Sequence, residues 1–98
     1  MTRAQRLSQS DLDQALASLP KWKLTPEGRL HRELKFQNFR EAFSFMTRVA
    51  FEAEKLDHHP DWSNSYSRVT VELMTHDCGG ITAKDLDLAR KIDAIDWT

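Results

Sequence analysis

The 98-residue chain holds a single cysteine and a single tyrosine, three glycines and three prolines, and its charges nearly cancel to a net -1. Each scarcity excludes something. Cys78 cannot close an internal disulfide and has no second cysteine at metal-site spacing, which points to a reducing compartment, with the cytoplasm as the expected location. A balanced charge leaves no basic stripe of the kind that direct nucleic-acid contact needs. No stretch approaches the roughly 20 apolar residues of a membrane span, and the N-terminus carries Arg3 and Arg6 without an apolar signal-type run. No linker, repeat or low-complexity segment interrupts the chain. One domain over residues 1–98 is expected, with 1–6 as a flexible tail, and 40% apolar content suffices for one core.

What is present is well punctuated. Ser8 can cap a first helix, with Asp11 at its third position and Leu7 stapled onto Leu12, and Leu12, Ala15, Leu16 and Leu19 recur at helical spacing until Pro20 stops the ladder. Residues 22–24, the turn-like Thr25-Pro26-Glu27-Gly28 and the alternating run 30–36 form a hairpin, with Leu30, Leu34 and Phe36 on one face. Asn38 caps a long amphipathic helix with Glu41 three residues on. Its apolar pattern of Phe39, Ala42, Phe43, Met46, Ala50 and Ala53 persists toward Pro60. Residues 62–66 and 68–74 read as a second hairpin whose turn no Asn-Gly or Gly-rich pair locates. Val69, Val71 and Leu73 share one face, and continuation of that strand would place His76 on the polar side. After Gly79-Gly80, Thr82 caps a last helix, Asp85 reaches back, Ile81 staples onto Leu86, and the helix runs toward Ile95. This order predicts an α+β fold, αββαββα, with a four-stranded antiparallel sheet and three helices on one face.

Three of four histidines, His58, His59 and His76, lie in the second half; His31 stands alone in a predicted strand. On the residues alone several readings of Glu54-Lys55-Leu56-Asp57-His58-His59-Pro60 stay open. One is a helix C-terminus, where histidine suits the negative dipole end and proline enforces the stop. Another is a zinc site, although adjacent histidines rarely reach one ion and the helical His-x-x-x-His pair is missing. A Cys78 nucleophile beside His76 has only proximity in its favour, and Gly79-Gly80 lacks the lysine of a phosphate loop. The last is proton transfer, since imidazoles act as acid or base near neutrality. Glu54, Asp57 and Asp85 could then orient them, and Trp62 could wall an aromatic ligand.

Glu54-x-x-x-His58-His59-Pro60 followed by Tyr66, His76 and Asp85 resembles the signature of the pterin-carbinolamine dehydratases. It is framed by Trp62-x-Asn64-x-Tyr66, Val69-Thr70-Val71, Thr75-His76-Asp77 and Gly79-Gly80-Ile81-Thr82-x-x-Asp85, and the resemblance runs from Leu7 to Trp97. It implies the same fold and a homo-oligomer; no metal and no organic cofactor are expected, because the three histidines are wanted as proton carriers and no phosphate-binding loop is present. The implied reaction is dehydration of a 4a-hydroxytetrahydropterin to the quinonoid dihydropterin, the form recycled for aromatic amino acid hydroxylases. The family's three active-site histidines correspond to His58, His59 and His76. Its substrate-contacting segments correspond to His58, His59 and Pro60 and to Thr75, His76, Asp77 and Cys78, while Asp57, Trp62, Lys84 and Asp85 match positions lining the same pocket. Ser63 and Ser65 stand where animal relatives carry bulkier apolar residues, and Lys84 where they often carry arginine, so no bidentate contact is expected there. An interaction role is the alternative reading, because family members also serve as dimerisation cofactors for a homeodomain transcription factor.

Overall fold

The computed structural model describes residues 5–96. In chain order the elements are α1 (Gln9–Ala17), β1 (Lys23–Leu24), β2 (Leu30–Lys35), α2 (Phe39–Leu56), β3 (Asp61–Ser65), β4 (Arg68–Leu73) and α3 (Ala83–Asp93). The αββαββα order expected from the sequence is the order observed. The sheet runs β1-β2-β4-β3 with every pair antiparallel. Leu30 and Leu34 of β2 and Val69, Val71 and Leu73 of β4 supply its buried face, against which Leu12, Ala15, Phe45, Val49, Leu88, Ala89 and Ile92 of the helices pack. The opposite face carries His31, Glu33, Thr70 and Glu72 in the positions that period two assigns to it.

The helix starts are set by the side chains that sequence punctuation marks. Ser8 accepts the Asp11 N–H at 3.1 Å and Asn38 accepts the Glu41 N–H at 2.9 Å. Each satisfies one of the orphan donors of a first turn. Leu7 donates its N–H to Ile81 O at 2.8 Å, so the chain entering α1 is tied to the chain entering α3. Of the segment 1–6 expected as a tail, residues 1–4 lie outside the described residues, as does Trp97.

Three details differ from expectation. In α2 the buried stripe is Ala42, Phe45, Val49 and Ala53, while Phe39, Phe43 and Ala50 point outward and Met46 is half-buried. Both sets have helical spacing and they sit on adjacent stripes, so periodicity alone cannot choose between them; packing against the sheet does. The second hairpin turns at Tyr66-Ser67, with Tyr66 at φ 50°, and Asn64 donates to the carbonyls of Tyr66 and Arg68. Asparagine-mediated bonding replaces the glycine signal. β4 ends at Leu73 and α3 at Asp93, one and two residues short of the expected limits.

Below the sheet one polar anchor enters the core. Asp93 accepts from the Trp22 indole at 2.9 Å and from the guanidinium of Arg32, the one charged side chain of β2 on its helix-covered face. The pairing gives both donors an acceptor where water is largely excluded.

The reassigned stripe of α2 has a direct stability consequence. Phe45→Ala is expected to cost about 3–5 kcal/mol, as for other fully buried aromatic truncations. Ala50→Ser, on the stripe that faces outward, should cost less than about 1 kcal/mol. Urea unfolding monitored by circular dichroism measures both; comparable losses would mean the stripe is misassigned.

Candidate active site

The end of α2 decides where the first two histidines go. Asp57 adopts the left-handed conformation at φ 50°, ψ 45°, its N–H reaches Glu54 O, and the His58 N–H reaches back to Ala53 O at 3.0 Å. This paired arrangement is a Schellman closure with aspartate in the place usually taken by glycine. It ends the helix, turns the chain, and delivers His58, His59 and Pro60 in sequence to the start of β3.

His58 turns inward. Its ring Nε2 lies 2.6 Å from Asp85 Oδ1, with the imidazole 11% exposed and the carboxylate 0% exposed. The other oxygen, Asp85 Oδ2, accepts the Thr82 N–H at 2.9 Å and the Thr75 hydroxyl at 2.8 Å. Because Thr75 has spent its proton on Asp85, the 2.8 Å contact between the Thr75 and Thr82 hydroxyls must run from Thr82 to Thr75. Thr82 in turn accepts the Lys84 N–H, and the Thr82 and Asp85 side chains form a capping box across the helix start. Asp85 therefore performs two jobs on two oxygens: Oδ2 closes the helix start and Oδ1 holds His58. A ring proton on Nε2 serves the carboxylate as donor. Nδ1 has no hydrogen-bond partner among the described residues, and no buried side-chain nitrogen or oxygen among them is unpartnered, so Nδ1 is open to solvent.

His59 and His76 are exposed at 57% and 62%, and each likewise presents Nε2 to a carboxylate. His59 meets Glu54 Oε2 at 2.6 Å, and His76 meets Asp61 Oδ2 at 3.2 Å. β4 does not continue to His76. A Thr75–Gly80 bridge instead closes a tight turn, in which Gly79 has φ 65° and a Cβ on Gly80 would need only the tip of the Arg6 side chain to move aside. Two links then join this turn to the segment after α2: His58 to Asp85 to Thr75, and Asp61 to His76. They draw the segments bearing the three histidines to one end of the sheet.

The remaining expected residues divide. Trp62 lies half-buried against the core, and the Cys78 thiol sits 3.7 Å from Thr75 O within the turn. Asp57, Asp77 and Lys84 are exposed and Pro60 is half-buried; none has a side-chain bond to the three histidines. Among the described residues no group of three His, Cys, Asp or Glu is arranged to hold a metal ion. Sequence reading missed Asp61 and Arg29, which donates to Asp61 Oδ2 at 3.0 Å. The polar start of β3 was visible, but its register against β4 depends on the unmarked turn at Tyr66-Ser67.

The sequence model of the pterin 4 alpha carbinolamine dehydratases matches residues 5–95. The chain belongs to that family. A relative from Mesorhizobium japonicum named for this dehydratase is 54% identical over 94 residues, covering 95% of each chain. Another from Solibacter usitatus is 51% identical over 90 residues, 92% of this chain and 94% of the relative. Among solved structures, a transcriptional coactivator/pterin dehydratase from Brucella melitensis superposes with a TM-score of 0.89 at 44% identity, over 92% of this chain and 97% of that one. The dehydratase family is named for a hydro-lyase reaction, and the Brucella structure shares this chain's fold.

The threonine pair gives the site a stability signature. Thr75→Val keeps the shape of the side chain but removes a donor to Asp85 and the acceptor for Thr82. A loss of about 1–3 kcal/mol is expected, because buried polar groups are left unsatisfied. An unchanged urea midpoint would contradict the hydrogen-bond order given above.

Proposed function

We propose that the chain dehydrates a 4a-hydroxytetrahydropterin to the quinonoid dihydropterin by histidine acid–base catalysis, as a cytoplasmic step returning pterin to aromatic amino acid hydroxylases. The observation carrying this reading is the family match across residues 5–95, combined with three imidazoles that each present Nε2 to a carboxylate and whose Nδ1 has no hydrogen-bond partner among the described residues.

The chemistry asks for two proton transfers. The C4a–O bond breaks as the leaving hydroxyl is protonated to water, the nitrogen lone pair forms the double bond to C4a, and a ring proton passes to a base. Acid and base must both operate near neutrality, where imidazole is well matched. His58 and His76 divide these roles from the helix end and the turn end, and His59 holds the substrate. The backing carboxylate Asp85 directs the His58 ring and stabilises the charge that this imidazole acquires when it accepts a proton. Pro60, Trp62, Asp77, Cys78 and Lys84 belong to the binding surface in this reading, with Trp62 offering an apolar wall to the flat pterin.

The reading includes a homo-oligomer. β3 is a five-residue edge strand, and an uncovered edge invites pairing with a second copy. A second, interaction role is favoured by one observation. α2 turns Phe39, Phe43 and Phe51 outward, with the first two rings 5.8 Å apart, and the Brucella relative is described as a coactivator as well as a dehydratase. A partner retained by a His58→Ala variant would separate that role from catalysis.

Freshly generated 4a-hydroxytetrahydropterin tests the main reading. His58→Ala and His76→Ala should each lower kcat by about 10²-fold or more, and His59→Ala should chiefly raise KM. A wild-type rate equal to buffer alone, or wild-type kcat in both histidine variants, would overturn it.

A further inference from the structure

His58 and His76 are held very differently. The former is wedged against a fully buried carboxylate, whereas the latter stands 62% exposed on a turn, and its single side-chain hydrogen bond among the described residues is the one to Asp61. An exposed imidazole with one contact takes its direction from that contact. What fixes Asp61 therefore fixes His76.

Asp61 is itself well anchored. It follows Pro60, opens β3, and pairs across the ladder with Glu72. Its Oδ2, the oxygen facing His76, also accepts from Arg29 Nη1 at 3.0 Å, and the same nitrogen lies 3.7 Å from Glu72 Oε1. Arg29 sits just before β2, where its N–H donates to Thr25 Oγ1 at 3.0 Å and its carbonyl accepts the Thr25 N–H at 2.8 Å. Glu72 is completed by the His31 ring at 2.8 Å. A row of alternating base and acid thus crosses the open face of the sheet, running His31, Glu72, Arg29, Asp61, His76 over β2, β4 and β3.

We infer that Asp61, braced by Arg29, is a positioning residue for His76, doing at the surface what Asp85 does for His58 in the interior. With the guanidinium beside it, the shared Oδ2 acts as an acceptor, so the ring proton of His76 that meets it lies on Nε2. Exposed ion pairs contribute little stability singly, but a network of them restricts where its members point. Orientation is what this row supplies. The competing account is a cross-sheet ion pair that merely ties the start of β2 to β3 over β4, in which case the loss of Asp61 would act independently of His76.

The effect on rate rests on the dehydratase reading, so the test pairs kinetics with a measurement that does not need activity. Asp61→Ala should lower kcat about tenfold while KM changes less than about twofold, and should cost nothing further in a His76→Ala background. Arg29→Gln should move kcat the same way, and Asp61→Glu should recover part of the loss. In the same variants, nuclear magnetic relaxation of the His76 ring Cε1–H bond should show greater ring motion in Asp61→Ala than in wild type. Equal fold-losses in both backgrounds, or unchanged kcat in Asp61→Ala, would overturn the inference. If the wild-type protein shows no dehydration at all, the functional reading fails by itself. Ring motion then decides: an increase in Asp61→Ala supports the positioning role and no change refutes it.

Discussion

A carboxylate removed from water must meet donors on both oxygens, and Asp85 meets three: the Thr82 N–H, the Thr75 hydroxyl and the His58 ring. Each donor comes from a different part of the chain. Thr82 is the cap of α3, Thr75 leads the turn after β4, and His58 emerges from the end of α2. Satisfying one buried acid therefore brings the last helix, the central strand and the long helix to a common point. The hydrophobic core brings these elements together without direction, whereas the donors around Asp85 set their direction at the end of the sheet. The site and the fold are stabilised by the same bonds.

The arrangement separates two environments along one sheet. On the helix-covered side, Asp85 and His58 lie in a region where hydrogen bonds are strong and an unpaired group is costly. On the open side, Asp61, Arg29 and Glu72 form a solvated row whose strength lies in number. His58 and His76 sit at the ends of these two systems. A proposed acid–base pair approaching one substrate from a rigid interior end and a steerable surface end can combine a fixed direction with room for the substrate to enter.

Much of this could be read from the residues, and the limits have physical causes. Thr82 and Asp85 at capping-box spacing, Asn38 with Glu41, and Ser8 with Asp11 are local interactions, so spacing alone exposes them. The second role of Asp85 spans 27 residues to His58 and has no local pattern. In α2, Phe39 and Phe43 compete with Phe45 and Val49 for the core on equal periodicity, and only packing against α3 and β4 resolves the choice. Asp61 and Arg29 were out of reach for a similar reason. Their contact needs both the Tyr66-Ser67 turn, which fixes β3 against β4, and a strand order that sets β4 between β2 and β3. The family resemblance named the histidines; the bonds that orient them came from three-dimensional contacts.

The account stands on Asp85 determining where His58 carries its proton. Replacing it with asparagine offers one oxygen and one amide group to a site presenting two donors on one side and one on the other. The oxygen should stay with Thr82 and Thr75, leaving the amide to donate toward His58 Nε2. Ring nitrogen-15 chemical shifts, recorded at a pH where free imidazole is neutral, report the tautomer directly. The prediction is an Nε2–H ring in wild type and an Nδ1–H ring in Asp85→Asn with the fold retained; the same Nε2–H tautomer in both proteins would contradict it.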